Sequence, residues 1–186
     1  FRALENSILP NLAERTNLKR KIRIWSAACS TGQEALTVSM IIHEFIQKQN
    51  RPLTYSLLAT DISNRVIEKA KSASYTQLEV QRGLPAQLLI KYFSKEENSI
   101  WKAKKDLTKD ISYESLNLKN PFPFADRFDL VFCRNVLIYQ SVPSKIEILK
   151  KITDQLVPGG FLILGSGESL LGLSSDYAQT YSDGAV

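Results

Sequence analysis

Residues 22–40 read IRIWSAACSTGQEALTVSM and contain the pattern that decides the fold. The apolar residues at its start predict a β-strand, and the apolar spacing that follows Gly32 predicts an amphipathic helix. Between them lies a run of small residues from Ser26 to Gly32. Small side chains let another molecule approach the backbone closely, and the helix N-terminus beyond them offers unpaired N–H groups. This stretch fits either a nucleotide-type pocket or an ordinary tight turn between strand and helix.

The same strand–helix alternation continues along the chain. TYSLLAT at 54–60 and FDLVFC at 128–133 predict further buried strands, and helical patterns follow both of them. Short connections that contain glycine or proline join these elements, which favours a doubly wound α/β sheet. Residues 99–118, which include SIWKAKK and ISYESLNL, alternate in places and predict two short strands.

The composition favours one compact domain and argues against a zinc-binding or membrane-spanning protein. The chain has 186 residues, 44% of them hydrophobic, which suits one compact domain. Two cysteines and one histidine cannot fill the usual zinc ligand set, so no metal site is expected, and a cytoplasmic location is expected. No apolar run approaches the length of a membrane span. The net charge of +5 does not demand a nucleic-acid partner, and none is expected.

Candidate site residues follow the predicted strands, because doubly wound sheets bind ligands at the carboxyl ends of their strands. Asp61 comes directly after the second strand, where a carboxylate can accept hydrogen bonds from both hydroxyls of a ribose. It could instead cap the next helix. Arg134, Asn135 and Tyr139 follow the strand at 128–133, where a substrate would meet a cofactor. Each of these three could by itself be an ordinary loop or packing residue.

The sequence lacks the motifs of the common nucleotide cofactors. It has no GxGxxG, which disfavours NAD, and no GxxxxGK[ST], which disfavours a P-loop. A cofactor with an adenosine but no pyrophosphate fits better, and S-adenosylmethionine matches that description. NPFPF at 120–124 resembles the Asn-Pro-Pro-aromatic motif of amino-methylating DNA enzymes, but it precedes the strand that it should follow. His43 falls within a predicted helix and is not expected to be a catalyst.

Several motifs together resemble those of the CheR-type chemotaxis receptor methyltransferases. They are WSAACSTG, ATDIS, LNL, FCRNVLIY and PGGFL, in that order, and the resemblance covers essentially the whole chain. It implies a Rossmann-like, S-adenosylmethionine-dependent domain that methylates glutamate side chains on the cytoplasmic region of receptors and releases S-adenosylhomocysteine. It further implies a cytoplasmic, monomeric enzyme without direct membrane insertion. Family members also carry a small helical N-terminal domain, so residues 1–186 are expected to be the catalytic domain of a longer protein. They carry in addition a short antiparallel β subdomain inserted in the fold, which implies that residues 99–118 form this insertion as a hairpin.

The resemblance also implies roles for individual residues. Glu34 and Asp61 would hold the amino-acid or ribose portions of the cofactor, and Asn117 with Leu118 would flank its adenine. The remaining implied site residues are Ala27, Arg134 and Asn135 in the cofactor pocket, with Arg2 and Tyr139 as catalytic residues near the transferred methyl group.

One segment departs from the family's pattern. Residues 33–37 read QEALT, where the family usually reads Glu-Glu-Pro-Tyr-Ser, and Glu34 is retained. Two alternatives to a receptor methyltransferase therefore stay open at this point. One is a methyltransferase that acts on another class of substrate, and the other is a non-catalytic module that binds S-adenosylmethionine or docks on a signalling partner.

Overall fold

A computed structural model of the chain describes residues 1–16, 20–50 and 52–180, and its centre is a parallel sheet of five strands. From one edge to the other these are β6 (Ile111–Ser115), β2 (Tyr55–Asp61), β1 (Ile22–Ala27), β7 (Phe128–Cys133) and β8 (Leu156–Leu164). The strand order reverses between β1 and β7, because the chain continues from β1 to β2 on one side and from β7 to β8 on the other. At such a switch point a doubly wound sheet opens a crevice beside the carboxyl ends of its strands.

The centre of the sheet is fully buried. All six residues of β7 are buried, and its neighbour β1 is buried at every position except Arg23. Asp129 is the one charged residue of β7, and its carboxylate accepts two hydrogen bonds from the Arg20 guanidinium at 2.8 and 2.6 Å. A buried carboxylate needs such a partner because its desolvation is costly. The burial of β7 on both faces explains its nearly continuous apolar sequence.

Helices cover both faces of this sheet. Those that cover it are α1 (Leu9–Thr16), preceded by a π-helical turn at Leu4–Ile8, α2 (Gln33–Gln49), α3 (Asn64–Ser72) and α7 (Val142–Asp154). The short helices α4 (Gln77–Gln81), α5 (Ala86–Tyr92) and α6 (Lys105–Thr108) contribute to a smaller, separate core. Leu12 of α1, Ile42 of α2 and Ile67 of α3 belong to the core on one face, whereas Ile148 and Ile152 of α7 belong to the core on the other. The predicted doubly wound α/β arrangement is confirmed.

A second, antiparallel sheet lies in the segment between α3 and β6. Its three short strands, in spatial order, are β3 (Ser74–Thr76), β5 (Ile100–Ala103) and β4 (Phe93–Lys95). Tyr75 and Phe93 point from this sheet into a core that also contains Leu36 and Met40 of α2. The predicted small antiparallel insertion therefore exists, and it packs directly on the helix that follows the small-residue loop.

The predicted hairpin over residues 99–118 is wrong in its pairing. Ile100–Ala103 belongs to the small sheet, but its partners are Ser74–Thr76 and Phe93–Lys95. Ile111–Ser115 instead pairs in parallel with β2 and forms an edge of the central sheet. The alternating pattern located both strands, but it carried no information about their partners, because strand pairing depends on tertiary contacts.

Two 3₁₀ turns also occur among the described residues, at Glu97–Ser99 and at Leu137–Tyr139. The second one directly follows β7 and lies at the switch point. Across the same described ranges, none of the helices is both long enough and apolar enough to cross a lipid bilayer.

Candidate functional site

The loop at 28–32, between β1 and α2, has an unusual backbone. Ala28, Ser30 and Gly32 have φ angles of 62°, 51° and 90°, all in the left-handed region. A residue with a Cβ atom adopts this region at an energetic cost, and such residues cluster at functional sites. Because the side chains here are small, a bound molecule can approach the backbone of this loop closely. The run of small residues that ends at Gly32 therefore forms a strained loop and not an ordinary tight turn.

Asp61, at the carboxyl end of β2, holds this loop in place. Its Oδ2 accepts a hydrogen bond from the Ser30 amide at 2.9 Å, and its Oδ1 accepts one from the Ser63 amide at 3.0 Å. Ser63 is the residue before α3, so Asp61 orders the turn that leads into this helix but caps no amide of the helix itself. An ionised carboxylate has about four acceptor positions. The half-buried Asp61 therefore keeps the capacity to bind a pair of hydroxyls.

An ion pair crosses the switch point between β1 and β7. The Arg134 Nη1 atom lies 2.9 Å from Glu34 Oε2, and the Ser26 hydroxyl donates to Glu34 Oε1 at 2.7 Å. The side chains of Glu34 and Arg134 are 16% and 29% exposed. Both charges can therefore be reached by a small molecule, and they present a carboxylate and a guanidinium side by side.

The beginning of the described chain lies against this ion pair. The Arg134 guanidinium carbon is 5.0 Å from the centre of the Phe1 ring, which in turn lies 6.4 Å from the Phe132 ring. The next residue, Arg2, is exposed, and its guanidinium has no partner among the described residues. Arg2 is thus the sequence neighbour of a residue that contacts this ion pair, and its catalytic role stays a prediction.

The segment after β7 is held by Glu168, which the sequence reasoning missed. Asn135 has a φ angle of 57°, and Glu168 Oε2 accepts hydrogen bonds from the amides of Asn135 and Gly165, both at 2.7 Å. Glu168 Oε1 accepts three more, from the amides of Val136 at 3.0 Å, Leu137 at 2.8 Å and Ile138 at 3.3 Å. Glu168 comes four residues after the end of β8, so the rule that finds site residues after strands could have found it.

The other site residues predicted from the resemblance lie in different environments. Tyr139 is 80% exposed in the 3₁₀ turn after β7, so its hydroxyl is open to a substrate. Asn117 follows Leu116, whose amide donates to the Asp61 carbonyl at 2.9 Å, which brings Asn117 to the same edge of the sheet. Leu118 is 9% exposed and packs in the core.

The structure therefore brings most of the predicted residues to one edge of the sheet. Ala27 is buried at the end of β1, in the same core cluster as Leu118. Asn117 Oδ1 accepts a hydrogen bond from the Lys119 amide at 2.9 Å within its own turn. The proposed contacts of Asn117 and Leu118 with an adenine, like the other residue roles, stay predictions.

Two cysteines lie beside this edge without being candidates for nucleophiles. Cys29 and Cys133 are 3% and 0% exposed. Burial, reinforced by nearby carboxylates, raises the pKa of both thiols to about 12. Both thiols are therefore protonated at neutral pH. Within the described ranges, no cluster of three or more His, Cys, Asp or Glu side chains could hold a metal ion.

The charged side chains at this edge indicate a class of protein. Asp61 suits a ribose, the Glu34 carboxylate suits an ammonium group, and the Arg134 guanidinium suits a carboxylate. These groups match the parts of S-adenosylmethionine, which combines an adenosine with an amino acid. The doubly wound fold and this site together describe an S-adenosylmethionine-binding domain.

Comparison with protein families gives the particular family. The model for "CheR methyltransferase, SAM binding domain" matches residues 1–185, and the chain belongs to this family. S-adenosylmethionine is accordingly its cofactor.

Curated relatives from several bacteria agree with this assignment. The chain is 38% identical over 179 residues to the chemotaxis protein methyltransferase Cher2 of Pseudomonas putida. This alignment covers 95% of the chain and 65% of the relative. It is likewise 38% identical over 179 residues to the chemotaxis protein methyltransferase 1 of Pseudomonas aeruginosa, with the same coverage. It is 36% identical over 178 residues to the chemotaxis protein methyltransferase of Vibrio parahaemolyticus, which covers 95% of this chain and 64% of the relative. The chain thus spans slightly less than two thirds of the length of these relatives.

Proposed function

We propose that this domain transfers a methyl group from S-adenosylmethionine to glutamate side chains in the cytoplasmic region of chemotaxis receptors. The products are a glutamyl methyl ester and S-adenosylhomocysteine. The observation that carries the proposal is the Glu34–Arg134 ion pair across the switch point, in a chain of the CheR family. The names of the relatives support the chemotaxis setting.

The cofactor is held by groups from three strand ends. Asp61 receives the ribose hydroxyls, because each of its oxygens has an acceptor position left after its bond to a backbone amide. Arg134 binds the carboxylate of the amino-acid portion and Glu34 binds the ammonium group. The small residues of the 28–32 loop, with Ala27 before them, leave room for the cofactor beside the backbone, and Asn117 and Leu118 flank the adenine.

The chemistry asks for positioning more than for acid–base catalysis. When bound, S-adenosylmethionine supplies a methyl group activated by a positively charged sulfur. A glutamate side chain has a pKa of about 4.3 and is already ionised at neutral pH, so no general base is required. The protein contributes orientation and the exclusion of water. Arg2 orients the substrate carboxylate, and Tyr139 donates a hydrogen bond near the reacting atoms.

In this proposal the protein partner is a receptor, and the domain acts in the cytoplasm as a monomer. Neither a nucleic acid nor insertion into a membrane is part of the reaction. Asn135, on the left-handed turn after Arg134, lines the pocket between the cofactor and the receptor glutamate.

The first experiment measures the binding of S-adenosylhomocysteine to the full-length protein by calorimetry. Asp61→Ala removes the proposed ribose contact and one anchor of the loop, so we expect binding to be lost. Asp106→Ala is the matched control, because the Asp106 side chain is 90% exposed and lies on α6, and we expect it to bind as the wild type does. Wild-type protein that does not bind, or Asp61→Ala protein that binds normally, would contradict the cofactor site.

The second experiment tests the substrate class. Cofactor carrying a labelled methyl group is incubated with the protein and the cytoplasmic region of a receptor. We expect label on the receptor that base releases as methanol, because esters hydrolyse in base and N-methyl groups do not. Base-stable label, or label only on small acids or nucleic acids, would favour another substrate class. Cofactor binding without any transfer in the full-length protein would favour the non-catalytic module.

A further inference from the structure

A tyrosine of the small antiparallel sheet contacts the loop at 28–32, which is called the cofactor loop below. Tyr75 lies on β3 and is 1% exposed, and its hydroxyl donates a hydrogen bond to the Thr31 carbonyl at 2.8 Å. Thr31 lies in the middle of the strained 28–32 loop. The contact therefore joins the small insertion to the backbone that approaches the cofactor.

The loop needs such anchors because its conformation is unfavourable by itself. A non-glycine residue in the left-handed region costs energy and stays there only when its surroundings fix it. The central sheet supplies two anchors, both from the end of β2. The Cys29 amide donates to the Thr60 carbonyl at 2.8 Å, and the Ser30 amide donates to Asp61 at 2.9 Å. The Tyr75 hydroxyl supplies a third anchor from a different sheet.

The position of Tyr75 is itself fixed by packing. Its ring lies 6.4 Å from the Phe93 ring in an edge-on arrangement, and the Lys69 ammonium lies 5.3 Å from the centre of the Tyr75 ring. The Lys69 ammonium also donates to the Ser74 carbonyl at 2.5 Å. Burial raises the pKa of the Tyr75 phenol far above its ordinary value, so the hydroxyl remains a donor. A rigid, protonated phenol is well suited to fix a backbone carbonyl.

We propose that Tyr75 is a positioning residue, through which the small antiparallel sheet fixes the cofactor loop in its binding conformation. This inference rests on the proposed function in so far as the loop binds S-adenosylmethionine. Removal of the Tyr75 hydroxyl frees the Thr31 carbonyl, and the loop then spends part of its time in other conformations. Cofactor binding must reorder it, so the affinity for the cofactor falls.

A second tyrosine against the same loop provides a matched control. Tyr113 of β6 has a buried hydroxyl without a hydrogen-bond partner among the described residues. A Cβ atom on Gly32 would lie 3.3 Å from this hydroxyl, which shows how close Tyr113 is to the loop. Tyr113→Phe and Tyr75→Phe therefore delete the same atom beside the same loop, but only Tyr75→Phe breaks a hydrogen bond.

The test compares these variants with the wild type in the full-length protein. We expect Tyr75→Phe to weaken S-adenosylhomocysteine binding about fivefold to tenfold, the effect of losing one neutral hydrogen bond, and Tyr113→Phe to stay within about twofold. In the methyl-transfer assay, Tyr75→Phe should raise KM for S-adenosylmethionine and leave kcat and KM for the receptor unchanged. A purely structural role would lower the amount of folded enzyme, and so kcat, without changing KM. Unchanged affinity in Tyr75→Phe, or equal losses in both variants, would overturn the proposal.

Amide hydrogen exchange without cofactor separates this inference from the proposed function. The amides of Cys29 and Gly32 are hydrogen-bonded in the loop, to the carbonyls of Thr60 and Cys29. We expect both to exchange faster in Tyr75→Phe and at the wild-type rate in Tyr113→Phe. If the wild type fails to bind the cofactor but these rates change as expected, the proposed function fails and the anchoring of the loop stands. Unchanged rates in Tyr75→Phe would overturn the anchoring itself.

Discussion

Substitution of Glu168 by glutamine should loosen the segment that carries Arg134, Asn135 and Tyr139. The Glu168 carboxylate accepts five backbone amide hydrogen bonds, three on Oε1 and two on Oε2. Glutamine has one acceptor oxygen, and its NH₂ group faces amides that are also donors. The change therefore leaves at least two amides without an acceptor and removes the charge that strengthens the others.

The expected magnitude follows from these lost bonds. A hydrogen bond to a charged group contributes about 1.5–3 kcal/mol, so two of them amount to about 3–6 kcal/mol. Glu168 is half-buried, and water can replace part of the loss. We therefore expect Glu168→Gln to lower the free energy of unfolding by about 2–4 kcal/mol, which is a large share of the roughly 5–15 kcal/mol of a typical domain.

Urea unfolding followed by circular dichroism measures this loss, and amide hydrogen exchange locates it. The amides of Val136, Leu137 and Ile138 should lose protection in Glu168→Gln. Glu114→Gln is the control, because Glu114 is an exposed glutamate of β6, and it should stay within about 0.5 kcal/mol of the wild type. Equal stability of the two variants, with protection of the three amides intact, would refute the reasoning.

Two further predictions concern the loop and the thiols. Gly32→Ala should lower the free energy of unfolding by about 2–4 kcal/mol in urea titrations, because its Cβ atom would lie 2.9 Å from Ala70 Cβ at a φ angle of 90°. Gly83 is the control position, because it has the same left-handed backbone but no atom within 4 Å of an added Cβ. If Gly83→Ala lowered the free energy of unfolding as much as Gly32→Ala, the steric explanation would be wrong. Cys29 and Cys133, with pKa values raised to about 12, should react with iodoacetamide at pH 8 only on unfolding. The thiolates form more readily in the unfolded chain, so unfolding free energy should fall between about pH 9 and pH 12, and rapid alkylation of the native protein at pH 8 would contradict this.

The parts of the site that follow strands could be predicted from the sequence. The apolar runs that become β1, β2 and β7 are long enough to identify, and Asp61 and Arg134 come directly after two of them. Because parallel strands end at the same edge of a sheet, the sequence predicts that both residues lie at one edge.

The rest of the site depends on contacts that leave no local signal. Ser74–Thr76 is only three residues long, so no alternating pattern revealed it, and the contact of Tyr75 with the loop could not be anticipated. Ile111–Ser115 was located as a strand, but its place beside β2 is decided by the sheet that it joins. The place of Glu168 after β8 could be found from the sequence, but its partners could not. They are backbone amides some thirty residues earlier, which every residue type except proline can supply.

The hydrogen bonds of Glu168 have a consequence for the order in which the site forms during synthesis. The turn after β7 emerges from the ribosome before the residue that will hold it, because Glu168 is 33 positions later than Asn135. Contacts between distant residues form only after the intervening chain has been made and folded. A nascent chain that ends before Glu168 therefore has Asp61, Glu34 and Arg134 but lacks an ordered turn beside them. We therefore expect the site to be completed late, once the chain has passed Glu168 and its five amide hydrogen bonds can form.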